Sequence, residues 1–273
     1  MANSIIKEVK AKNILNKSGI PGMTYCINPY TGCTHGCIYC YATFMKDYSG
    51  HTEEWGEFVD VKVNLPEILS KEVKRKSVGR VCIGTVADAY QPIEKEKRLT
   101  RRAIELLKEN KFPFEILTKS SLILRDVDLL KNNGSCSVEI TITTIDEKVR
   151  EIFEPGADTI ANRLETVKTF ISMGIPTTVF FGPVLPYFSD SRQSLKETFD
   201  AFESTGVKRV MVDKLNYFNK KLPLILSKIK IDYPQAIDYY QNVSGNLRAY
   251  ESQLRQNILD IALNKKTIIE VLF

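Results

Sequence analysis

The sequence predicts an α/β protein built around a parallel sheet. Short β-branched runs alternate with longer charged segments of helical periodicity, and the β-α unit recurs about six times along the chain. The chain has 273 residues, of which 43% are hydrophobic and 26% charged, enough apolar material for one large core or a core with a small appendage. No run approaches the ~20 apolar residues of a membrane helix, and the N-terminal stretch MANSIIKEVKAKNIL has no signal-peptide core. A cytoplasmic, membrane-free protein with reduced thiols is therefore expected.

The elements follow in order. MTYCINPY (23–30) reads as a strand, and EFVDVKV (57–63) alternates like one. LPEILSKEVKRK (65–76) is helical, with Pro66 in its first turn. RVCIGTV (80–86) is a buried-type strand, and 94–110 a strongly amphipathic helix. A strand at 114–120 precedes a helix at 121–133 ended by Gly134. Then come a strand at 137–144 and a helix at 158–174, with Asp158 as N-cap and Gly174 as its stop. A strand (175–186), a helix (189–205) and a strand (207–216) complete the alternation, and the tail adds helices and a last apolar run, TIIEVLF. Six units fall short of the eight that close a full barrel. Periodicity fits an open partial barrel or a doubly wound sheet; in both, ligands bind at the C-terminal ends of the strands.

The segment GCTHGCIYCY (32–41) places Cys33, Cys37 and Cys40 within eight residues. Three thiolates at this spacing hold three irons of a [4Fe-4S] cluster and leave the fourth iron open for chemistry. The rival is structural zinc with His35 or Cys26 as fourth ligand, although no second Cys pair is present for it. Crowding of three cysteines into one loop argues against a disulfide framework. Cys26, Cys82 and Cys136 are scattered and read as core residues, with Cys82 a candidate hydrogen-atom relay.

Cys-x3-Cys-x2-Cys, with Tyr39 before the last cysteine and a β/α chain downstream, resembles the radical S-adenosylmethionine (SAM) superfamily. The wider string NPYTGCTHGCIYCYA (28–42), with IGTVADAYQPIEKEKRLTR (83–101), LTKSSLILRDVDLL (117–130), 138–165 and 174–190, resembles its spore photoproduct lyase-related, DNA repair photolyase-like branch. The resemblance spans roughly residues 20–216. It implies a partial (β/α)6 barrel of the radical SAM type (23–216), a short N-terminal extension (1–22) and a helical C-terminal extension (217–273) packed on it. It also implies a [4Fe-4S] cluster on Cys33, Cys37 and Cys40, and SAM bound to the open iron. SAM would be cleaved reductively to a 5′-deoxyadenosyl radical that takes a hydrogen atom from the substrate. The electron would come from a donor such as flavodoxin or ferredoxin.

The same resemblance assigns candidate cofactor contacts. Gly84 and Thr85 fall at the SAM-amino-binding segment, with Asp88 in the same turn. Lys119 is placed to hold the SAM carboxylate, Thr141 to contact SAM, and Tyr39 to stack near adenine. Arg163 is a further contact, bridging to Glu154 around the site. Tyr39 and Tyr41 match tyrosines that flank the last cluster cysteine. True lyases return a hydrogen atom from a cysteine just past the second strand, where this chain has Thr85; Cys82 lies three residues earlier. The radical generator thus looks complete and the lyase's hydrogen donor absent.

Three substrate readings stay open. One is a nucleic acid, tracked by the basic stretches 71–76 and 95–102 with Arg80 under a net charge of +5. A second is a protein side chain or small metabolite. The third, not an enzyme, is a zinc-stabilised nucleic-acid binding module. His51 and Trp55 are expected to be packing or loop residues.

Overall fold

The computed structural model describes residues 4–273, so the first three residues of the expected N-terminal extension lie outside it. Six parallel strands form its centre: β1 (Tyr25–Ile27), β2 (Val81–Ile83), β3 (Phe114–Thr118), β4 (Cys136–Thr141), β5 (Thr177–Phe181) and β6 (Arg209–Val212). They pair in sequence order, as a chain of right-handed β-α units must when each helix returns the chain along one face. A seventh parallel strand, β7 (Ile268–Val271), adds to β6 at the far edge, and a two-residue antiparallel strand (Asn16–Lys17) lies beside β1. The sheet is open, so the partial-barrel class is the observed one.

Alternation along the strands decides where the core sits. Val81 and Ile83, Phe114 and Ile116, Val138 and Ile140, Val179 and Phe181, and Val210 and Val212 are buried together in the main core under the outer helices. The helix Leu99–Glu109 buries Leu99, Ala103, Ile104, Leu106 and Leu107 there. The residues between them in each strand point to the barrel interior.

Several boundaries differ from the sequence reading. The strand at Phe58–Lys62 is real but leaves the barrel sheet; it pairs in parallel with Ile5–Val9 and antiparallel with Tyr30–Thr31. The helix expected over 94–110 breaks at Arg98, which takes φ 52° between Glu94–Lys97 and Leu99–Glu109. The segment 121–133 is a 3-10 turn (Ser121–Asp126) followed by one helical turn (Val127–Leu130). Thr159, not Asp158, caps the helix Ile160–Ser172, accepting from the Asn162 amide. Asp158 instead accepts from the Ser121 amide. The strand ends were also read too long, because the loops at their C-terminal ends are as apolar as the strands. Three helices follow β6, Phe218–Ile229, Gln235–Gly245 and Leu247–Ala262, before the chain returns as β7. Among the described residues no helix is long and apolar enough to cross a membrane.

Candidate active site

The cysteine loop leaves β1 and is pinned from three sides. The Gln91 side chain accepts from the Thr34 amide at 3.0 Å and donates to the Gly32 carbonyl at 3.1 Å. The Ile38 amide donates to Phe153 O, and the Gly156 amide to His35 O. Gly32 has φ 82°, and any Cβ there would strike the Phe58 carbonyl. Cys33 and Cys37 are buried, Cys40 is half-buried, and all three face one cavity of about 840 Å³. Burial, with the Asp88 charge, pushes the Cys33 thiol up to about 12, and burial likewise raises Cys37 and Cys40. Such thiols are inert as free nucleophiles and become thiolates when a metal binds them.

The fourth ligand that the zinc alternative calls on is not beside the triplet. Among the described residues, no three His, Cys, Asp or Glu side chains converge as ligands of a single metal ion. His35 Nδ1 faces Asp88 at 3.3 Å, and Cys26 lies on β1, with its thiol near the Lys17 carbonyl. Neither joins the triplet.

The strand ends supply the rest of the upper cavity. Gly84, after β2, has φ 91°, and a Cβ there would lie 2.8 Å from the Leu117 carbonyl. Thr85 is held by Asn28, whose amide group donates to its hydroxyl at 2.9 Å. Asp88 ties this turn to the end of β3, accepting from the Lys119 amide at 2.8 Å and from Thr118 Oγ1 at 2.7 Å. Burial raises its carboxyl, but His35 and these donors outweigh that and hold it below the ordinary range. Lys119 lies 5.8 Å from the Tyr39 ring centroid. Burial lowers the ammonium, yet Cys37, Glu154 and Asp88 more than offset this, so it stays charged. The Thr141 hydroxyl, at the end of β4, is buried without a hydrogen-bond partner while its residue lines the cavity.

Glu154 and Arg163 are fully buried, 2.6 Å apart, rather than a surface pair. Arg163 is absent from the cavity wall, which corrects its expected place as a cofactor contact. Its guanidinium is consumed by Glu154, by the Thr141 carbonyl at 3.2 Å and by the Asp158 carbonyl at 2.7 Å. It acts behind Tyr39, whose hydroxyl donates to Glu154. Tyr41 sits at the mouth, 43% exposed, with its hydroxyl on the Thr85 carbonyl. Cys82 is buried as expected, but on the cavity wall rather than in the apolar core, its thiol 3.3 Å from the Tyr25 carbonyl.

Trp55, read from sequence as packing, lines the cavity beside Cys40 while also packing edge-on against Phe58. His51 is packing, stacked on Phe58 at 3.9 Å. In the basic stretches Lys71, Lys76, Lys97, Arg101 and Arg102 each hold a carboxylate and Arg80 reaches Glu115 at the cavity, while Lys74, Arg75, Lys95 and Arg98 are exposed. The lower cavity holds charges that the sequence reading missed: Glu115, Glu139, Arg209 and Glu270. Their signal was present, since Glu115, Glu139 and Glu270 each interrupt a strand and Arg209 opens one.

Residues 27–212 match the radical SAM superfamily, a span that holds the cysteine loop, five of the six barrel strands whole and the last residue of β1. The chain belongs to the radical SAM superfamily. An uncharacterized protein of Methanocaldococcus jannaschii is 37% identical over 194 residues, which cover 71% of this chain and 73% of the relative. A mutant spore photoproduct lyase with bound AdoMet and dinucleoside spore photoproduct superposes with a TM-score of 0.70 at 17% identity, covering 98% of this chain and 81% of the lyase. That likeness shows a shared fold. A radical SAM Nalpha-GlyT isomerase of Pseudomonas phage M6 is 24% identical over 67% of this chain but only 38% of the phage protein. As a radical SAM enzyme, this chain requires an electron source.

The residues fit the superfamily's cofactors. Three soft thiol donors line the cavity, the buried Thr141 hydroxyl lacks a protein partner, and the Gly84 backbone admits no side chain where the cavity wall must stay close.

Proposed function

We propose that the protein binds a [4Fe-4S] cluster on Cys33, Cys37 and Cys40, cleaves SAM, and takes a hydrogen atom from a substrate held in the barrel cavity. Cluster and SAM, when bound, supply a 5′-deoxyadenosyl radical; the chain's own residues bind, orient and shield. The observation that carries the reading is that the three loop thiols and the partnerless Thr141 hydroxyl line one cavity. Thr141 and the Gly84 backbone hold SAM against the wall. Lys119 offsets its carboxylate, and Asp88 fixes the Lys119 backbone. Tyr39, set by Glu154 and Arg163, keeps water from the cluster side. Flavodoxin or ferredoxin is the proposed electron source.

The reaction we favour is hydrogen abstraction other than spore photoproduct reversal, because Thr85 stands where the lyases carry their hydrogen-returning cysteine. The second reading, lyase-like repair or modification of nucleic acid, draws on the shared fold with an enzyme that binds a dinucleoside lesion. Electron paramagnetic resonance tests the common core: reduced, reconstituted protein should give a cluster signal that changes when SAM is added. An unchanged signal would remove SAM from the cluster. Incubation with dinucleoside spore photoproduct separates the two readings; recovery of the repaired dinucleoside would favour the second.

A further inference from the structure

The lower end of the cavity is lined by charges, with Arg80, Arg209 and Glu270 partly exposed to solvent. Arg80 Nη2 lies 3.0 Å from Glu115 and 2.9 Å from the Ser137 hydroxyl, which itself donates to Glu115. Across the barrel Arg209 holds Glu270 at 2.5 Å. Both arginines are thereby satisfied by a carboxylate of their own. Glu139 is not. It is 8% exposed, lines the cavity, and receives no hydrogen bond or ion pair from any described residue. It stands on β4 between Leu117 and Thr178, its partners in register on the two neighbouring strands. On the same inward face it lies two residues from Thr141, roughly 7 Å along the strand.

A carboxyl largely withdrawn from bulk water and without a protein partner is costly unless cavity water or a ligand engages it. With Glu139 ionised the five groups hold three carboxylates and two guanidiniums, an excess of one negative charge, and each guanidinium already pairs with another carboxylate. The missing member is one cation. We propose that Glu139 is a substrate-binding residue, and that the substrate is an amine whose ammonium group enters the lower cavity and pairs with Glu139. This deepens the function proposed above and rests on its placement of the cofactors in the upper cavity. Leu117, Phe180 and Met211 form the apolar collar through which the carbon chain of the amine passes. The substrate position to be attacked then lies between Thr141 and Glu139.

The state of the empty site agrees with this. Burial, with Glu115 beside it, raises Glu139 well above the ordinary carboxyl range, and Arg209 and Arg80 only partly counter the rise; Glu270 adds to it. The empty cavity thus favours the protonated carboxyl. An entering alkylammonium, whose own pKa is about 10.4, keeps its proton. Glu139 then ionises against it and its proton passes to solvent. The step balances as carboxylic acid plus ammonium giving an ion pair plus one released proton.

The test uses the reconstituted full chain labelled with 13C at the glutamate carboxyls, with the Glu139 resonance assigned through Glu139→Gln. n-Butylammonium is the probe, and n-butanol and butyramide are its uncharged controls. The titration midpoint of Glu139 should fall by a unit or more with saturating n-butylammonium and stay in place with either control. A midpoint unmoved by the amine, or an equal response to butyramide, would overturn the proposal; the latter would favour a neutral amide-bearing substrate. The measurement is made on the unsubstituted protein, so it survives a poorly folded variant apart from the assignment. SAM cleavage measured on the same preparation separates the failures: cleavage without an amine response sinks only the amine, and an amine response without cleavage sinks only the cofactor reading.

Discussion

The Arg163 guanidinium and the Glu154 carboxylate meet at 2.6 Å with both side chains buried, directly behind Tyr39. A cation and an anion removed from water together hold only as a pair, and each becomes a large cost when the other is deleted. Glu154→Ala should therefore lower stability by about 3–5 kcal/mol, read by urea unfolding of the cluster-free protein. A loss below about 1 kcal/mol, the scale of an exposed pair, would mean that water reaches the site.

The same pair sets a pH dependence. Burial raises the Glu154 carboxyl, but Arg163 and Lys119 more than offset it and hold it below the ordinary value of 4.5. Its contribution is thus complete above about pH 4.5 and disappears as pH falls through the lower folded value. The stability of wild type minus that of Glu154→Gln, followed from pH 7 downward, should shrink only in that acid range. A difference that shrinks between pH 8 and 6 would assign the effect to another group.

Thr141→Val should move stability and binding in opposite directions. The Thr141 hydroxyl is buried without a partner, so replacing it with a methyl group should stabilise the cofactor-free protein by about 1 kcal/mol. SAM affinity should fall about fivefold to tenfold, the worth of one hydrogen bond. Equilibrium binding and thermal melts check both halves. Unchanged SAM affinity would show that the hydroxyl has no ligand to meet.

Gly84→Ala should abolish or severely weaken SAM binding. The residue has φ 91°, and the added carbon would lie 2.8 Å from the Leu117 carbonyl, so the turn must move. The backbone cost is roughly 1–3 kcal/mol, and the displaced segment is cavity wall. Near-normal SAM affinity would place the cofactor elsewhere in the cavity.

Cys82 faces the cavity, yet burial pushes its thiol up to about 11. At pH 8 only about one molecule in a thousand carries the thiolate. Alkylation by iodoacetamide, mapped by mass spectrometry, should be slow at pH 7 and rise about tenfold per pH unit toward 11. Rapid modification at pH 7 would contradict the buried setting.

What the sequence made legible was local. Cys33, Cys37 and Cys40 are close in the chain, and Gly84 ends a strand, so they could be singled out as candidates without knowing the fold. The alternation of β and α was readable because each unit is periodic in itself. What stayed hidden depends on pairing between distant segments. The strand at 58–62 has the right alternation, but its partner is Ile5–Val9, which takes it out of the barrel sheet. β7 joins β6 only after three intervening helices. Glu139 sits in a β-branched run, SVEITITT, and its meaning appears only when Glu115, Arg80, Arg209 and Glu270 are brought around it from four other segments. Arg163 looked like a ligand contact because its charge was visible and its burial was not.

The central claim is that Cys33, Cys37 and Cys40 hold a cluster that cleaves SAM. The most direct measurement is anaerobic reconstitution with iron and sulfide, reduction, addition of SAM, and chromatography for 5′-deoxyadenosine. Four irons per chain with deoxyadenosine formed, both lost when the three cysteines are replaced by alanine, is the result predicted here. A colourless protein that holds one zinc and leaves SAM intact would contradict it.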